Sequence, residues 1–113
     1  MARETIIIII IEKSGGRISS WRELASFLKE NLPKYSIRLE VLGEYYGTVS
    51  NAALFSAARE LLKRTFGISG EQAEEALWAL HEMDFIRISD KEWPLIRAED
   101  LSVEKDRYIT FNV

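Results

Sequence analysis

Six consecutive isoleucines, Ile6 to Ile11 in "RETIIIIIIEK", constrain what this chain can fold into more than any other feature. β-Branching favours a strand, because each Ile loses side-chain freedom in a helix, ~2 kcal/mol against Ala over the whole run. The "EKSGG" that follows reads instead as a helix end, with Lys13 near the last carbonyls and Gly15 or Gly16 as the cap. The balance tips slightly towards helix, and both readings stay open. Neither leaves a polar face, since helical side chains step about 100° apart and strand side chains alternate. The segment needs cover on every side, more than a domain of 113 residues readily supplies. Ile8 and Ile9, or their neighbours, are therefore expected to be buried by a second chain.

The run is too short to span a bilayer, which takes about 20 apolar residues. It also makes a poor signal peptide, with Glu4 before it and "EKSGGR" where a small-residue cleavage site belongs. The chain reads as soluble, unprocessed and cytoplasmic, without a membrane partner. Cysteine is absent, which excludes disulfides and thiolate metal sites. A single Gln, few Asn and many Glu, Lys and Arg follow the pattern of thermophile proteins. The length suits one domain, residues 1–113, with the apolar segment 6–11 at its N-terminus.

Local signals place most elements. In "SWRELASFLKEN", Ser20 and Glu23 form an S-x-x-E capping box. Trp21, Leu24, Ala25, Phe27 and Leu28 recur at helical spacing, and Pro33 stops the helix. Ile37, Leu39 and Val41 alternate with charged residues, which predicts a short strand or a helical turn. Ser50 to Phe66 is the most helical stretch, closed by Gly67. Ser69 and Gln72 make a second capping box for a helix over 70–83, with Ala73, Ala76, Leu77, Leu80 and Met83 on its buried stripe. Residues 85–89 and "RYITFNV" read as strands around a long polar loop.

The order helix, short strand, helix, tight turn, helix, strand, long loop, strand resembles the winged-helix family of helix-turn-helix domains. The residues carrying the resemblance are "AARELLKRTFGISGEQAEEALWALHEMDFIRIS", with an A-x-x-A-L-x-x-L helix running straight into an apolar strand. The match covers roughly residues 50–113, with 20–31 as the first helix. Asp84 departs from it, standing where the family commonly has Gly or Asn. The fold class implied is α+β, a small winged-helix-like domain with helices packed on a short antiparallel sheet.

The resemblance also implies that the outward face of the third helix enters a DNA major groove. Here that face carries Glu71, Gln72, Glu74, Glu75 and Glu82, which oppose the phosphate attraction that supplies most non-specific affinity. Net charge is −3 overall, made of +1 over residues 1–50, +2 over 51–66 and −6 over 67–113. Arg59, Lys63 and Arg64, helped by Arg87, Arg97 or Arg107, are the candidate nucleic-acid contacts. The alternative is a solvated helix face pairing with Glu60 or nearby acids. Trp93 in "DKEWPLI" is a candidate interface anchor, and Tyr45 and Tyr46 raise the same question. Trp21 and Trp78 belong to the core.

Nothing suggests chemistry. His81, the only histidine, has Asp84 as its nearest companion, too few ligands for zinc, and no nucleophile or pocket is signalled. "SGGR" and "ISGE" are helix caps rather than phosphate loops. No cofactor, metal or small-molecule substrate is expected. The expectation is a non-enzymatic interaction module, an adaptor or small subunit of a transcription or replication assembly, with a protein partner or a homodimer. The alternative is a dimeric DNA-binding regulator.

Overall fold

The computed structural model describes residues 3–32, 40–41, 44–45, 52–89 and 107–113. The isoleucine run is helical. It lies within α1, Arg3–Lys13, with Glu4 in the first turn and Lys13 in the last, where each charge complements the helix dipole. Ile6, Ile7 and Ile10 are buried, and Ile9 and Ile11 pack partly against the core, while Ile8 is exposed. The chain thus covers most of the run itself and leaves Ile8 open. α1 leaves through Gly15 and Gly16, both at positive φ. Between them and the helix the buried Ser14 hydroxyl donates to the Ile11 carbonyl at 2.8 Å and accepts from the Ile18 N–H at 3.2 Å.

α2 spans Trp21–Asn31. Its N-cap is Ser20, whose hydroxyl accepts the Glu23 N–H at 3.2 Å. The reciprocal bond expected at Ser20 goes instead to its neighbour: the Glu23 carboxylate accepts the Ser19 N–H at 2.7 Å and the Ser19 hydroxyl at 2.9 Å. β1, Glu40–Val41, pairs antiparallel with β2, Glu44–Tyr45, in a two-stranded sheet of their own. Residues 37–39 of the expected strand lie outside the described residues.

The helix expected from Ser50 starts later. Ala52–Leu54 form β3, and α3 runs Phe55–Phe66. Alanines and leucine favour a helix locally, but pairing across the sheet overrides that preference. Ala52, Ala53 and Leu54 face Thr110, Ile109 and Tyr108 of β5, Tyr108–Phe111. No side chain caps α3; the Phe55 N–H donates to the Arg107 carbonyl at 2.8 Å instead. So a strand at 52–54, inside the segment expected to be helical, joins the main sheet.

Gly67, at φ 60°, closes α3, and a three-residue turn leads into α4, Gly70–Glu82. The Ser69–Gln72 capping box is complete, at 3.1 and 3.0 Å. α4 ends in a Schellman arrangement: Phe85 N–H donates to Leu80 C=O and Asp84 N–H to His81 C=O, each at 3.1 Å, with Asp84 at φ 62°. β4, Ile86–Ser89, then pairs with β5, giving the strand order β3-β5-β4 with all neighbours antiparallel. Among the described residues the result is four helices on a small three-stranded sheet, an α+β domain of winged-helix-like architecture with one further helix, α1, before α2.

One core unites the four helices and the three-stranded sheet. Leu24, Leu28, Leu62, Leu77, Leu80, Ile86 and Ile109 are fully buried beside Ile6 and Ile10. Each such side chain contributes about 1.5–3 kcal/mol of burial. Trp21 and Trp78 sit at the core margin, partly buried against it. No described helix is long and apolar enough to cross a membrane.

Candidate interaction surface

α1 and α4 lie side by side in opposite directions. Arg3, at the start of α1, pairs with Glu82 at the end of α4 at 2.7 Å. At the other end, the Lys13 ammonium donates to the Gly67 carbonyl at 3.3 Å, just before α4 begins. The two helices pack directly. Ala73, Ala76 and Ala79 are among the buried residues of α4, small enough to let a bulky helix approach closely.

What remains open on α4 is an acidic groove. Glu71, Glu74, Glu75, Trp78, Ala79 and Glu82 line a depression of about 520 Å³ together with Arg3. The spacing 71, 74, 75, 78, 82 places these side chains on one helical face. Trp78 forms its apolar floor. Its ring lies 6.0 Å from Phe55, meets His81 edge-on at 5.5 Å, and carries the Arg107 guanidinium 5.4 Å from its centroid. These contacts hold the indole in place.

His81 has a structural task. Its Nδ1 accepts the Ile88 N–H at 3.1 Å. Among the described residues β4 is an edge strand, and this bond occupies a backbone donor on its outer side.

The basic trio is drawn into local ion pairs. Arg59 reaches Glu74 at 3.9 Å, and Lys63 and Arg64 reach Glu60 at 3.2 and 4.0 Å. All three lie on α3, with Arg59 tied to the carboxylate face of α4 rather than standing apart as a separate cationic patch. Arg87 is exposed on β4. Ile8 is 53% exposed at the middle of α1, and Ile9 is partly buried. Trp93, Tyr46 and Arg97 lie outside the described residues, and Tyr45 lies in β2.

Sequence reasoning found the acidic face and missed its setting. The antiparallel contact of α1 with α4 depends on residues nearly eighty positions apart, and no local pattern announces it. Ser14 and His81 were equally hidden, because a hydroxyl or imidazole that satisfies a distant backbone group leaves no spacing signature. Asp84 did leave a sign, since it replaces the Gly or Asn that suits a left-handed residue.

No family model, curated protein or solved structure matches the chain.

Proposed function

We propose that this chain is a non-enzymatic winged-helix interaction module, an adaptor or small subunit that binds another protein. The observation that carries the reading is the state of α4. Its outward face bears Glu71, Glu74 and Glu82, with the half-buried Glu75 beside them, and α1 is laid along the helix by contacts at both ends. A helix so lined repels phosphates, and one so flanked is poorly shaped to enter a major groove. The nearby cations, Arg59, Lys63 and Arg64, are each within ion-pair reach of a carboxylate. The engagement of His81 with the Ile88 backbone supports a structural rather than catalytic role for the one imidazole. A role in a transcription or replication assembly is the part of the proposal that rests on fold analogy.

A gel-shift titration with duplex DNA at low salt tests the reading. No shift is expected into the high micromolar range, the weak end of ordinary non-specific binding, ~10⁻⁴ M. A salt-sensitive shift at micromolar protein, abolished by Lys63→Glu, overturns the reading in favour of a DNA-binding regulator.

A further inference from the structure

We propose that the outward face of α1 is a docking site for a basic amphipathic helix of a partner protein. The proposal rests on the reading of the chain as a protein-binding module and adds the site and the partner's chemistry. Ile8 is the exposed large apolar side chain among the described residues, at 53%. Glu4 and Glu12 stand one helical turn to either side of it, both exposed, and neither has an ion pair among the described residues. Ile11, three residues on and partly buried, extends the apolar contact.

The charges of α1 are sorted by face. Its cations turn to the body, Arg3 to Glu82 and Lys13 to the Gly67 carbonyl. The charged groups beside Ile8 on the outside are the carboxylates of Glu4 and Glu12, with the neutral, exposed Thr5 between them on that face. The helix is also held ready: its two ends are tied down and Ile6 and Ile10 are fully buried behind it. A partner would meet a preformed surface, with little ordering cost on this side.

This charge pattern decides between occupants. A second copy packed along α1 about a two-fold axis sets Ile8 against Ile8. In the antiparallel arrangement Glu4 then faces Glu12 of the other copy, and in the parallel arrangement each glutamate faces its own counterpart. Both oppose like charges, so the face disfavours self-association. Phosphates of nucleic acid or lipid meet the same carboxylates. A helix with an apolar residue over Ile8 and Ile11, and Lys or Arg one turn before and after, satisfies both the apolar contact and the charges.

The probe is a fluorescent helical peptide with a central leucine and lysines four residues to either side, compared with the same peptide carrying glutamates there. Anisotropy titration of the full chain is expected to show about tenfold tighter binding of the lysine peptide, weakening with salt. Glu4→Lys together with Glu12→Lys should reverse the preference. Ile8→Ser should weaken the lysine peptide about tenfold while leaving the circular dichroism spectrum and Tm unchanged, because the side chain is exposed.

Equal binding of the two peptides, or none up to about 1 mM, overturns the proposal. So does indifference to Ile8→Ser, or a dimer in sedimentation that Ile8→Ser dissolves, which would assign the face to a second copy. A DNA shift removes the module reading whatever the peptides do. Absent peptide binding with no DNA shift removes only the α1 site.

Discussion

α4 declares its inner side in the sequence: Ala73, Ala76, Leu77 and Leu80 recur at helical spacing among glutamates, and all four are buried. Its neighbour α1 declares nothing, because six isoleucines in a row carry no periodicity. Yet Ile6 and Ile10 are 0% exposed and Ile8 is 53% exposed, so identical side chains have opposite fates within one turn. A helix that is apolar all round has no preferred rotation of its own. The contacts that tell one rotation from another lie outside the run: Arg3 on Glu82, Lys13 on the Gly67 carbonyl and the Ser14 hydroxyl at its exit. In α4 the hydrophobic pattern marks the inner face; in α1 only the polar ends distinguish one face from another.

The sharpest test compares two isoleucines two residues apart. Ile10→Ala should cost about 2–5 kcal/mol in urea unfolding, through lost transfer energy and the cavity left behind. Ile8→Ala should stay within about 0.5 kcal/mol, as exposed substitutions do. Similar losses at both positions would mean that α1 does not hold the rotation described here.

The second test compares the two helix exits. α1 leaves through Gly15 at φ 66°, where an added Cβ meets nothing within 4 Å, so Gly15→Ala probes backbone strain alone. It should cost about 1 kcal/mol. α4 leaves through Asp84 at φ 62°, an exposed residue in the same left-handed region. Asp84→Gly should therefore stabilise by a similar amount, about 1 kcal/mol at most, since glycine occupies that region without strain. Thermal melts of both variants read the opposite signs directly. A loss of stability in Asp84→Gly would show that the aspartate side chain contributes more than its backbone strain costs.

How much of this was legible follows from the range of each interaction. The Ser69–Gln72 box, Gly67, the α3–α4 turn and the apolar faces of α2 and α4 are written within a few residues, and each could be read directly. β3 could not, because Ala52, Ala53 and Leu54 look helical until Tyr108, Ile109 and Thr110 arrive to pair with them. The box at Ser20 was half legible: Ser20 caps as expected, but an adjacent serine takes the Glu23 carboxylate. Of the candidate surface, the carboxylates of α4 were visible as a helical face, whereas Trp78 as the groove floor needed Phe55 and Arg107, both from elsewhere in the chain.

The smallest expected effect bears most directly on the contrast between the two helices. Arg3 and Glu82 are well exposed, with side chains 47% and 60% accessible, so solvent screens their attraction. Arg3→Ala should cost only about 0.2–0.5 kcal/mol, and less at high salt. Lys13→Ala, which removes one donor to the Gly67 carbonyl, should cost similarly little. The double variant separates two roles for these contacts. If they merely add stability, the losses sum, as they do for sites at opposite ends of a helix. If they jointly set the rotation and register of an otherwise uniform helix, removing both costs more than the sum. Amide exchange of α1 then accelerates while that of α4 holds, because α4 keeps its own amphipathic face. Strict additivity with unchanged exchange in α1 would return the choice of face to packing of the isoleucines alone.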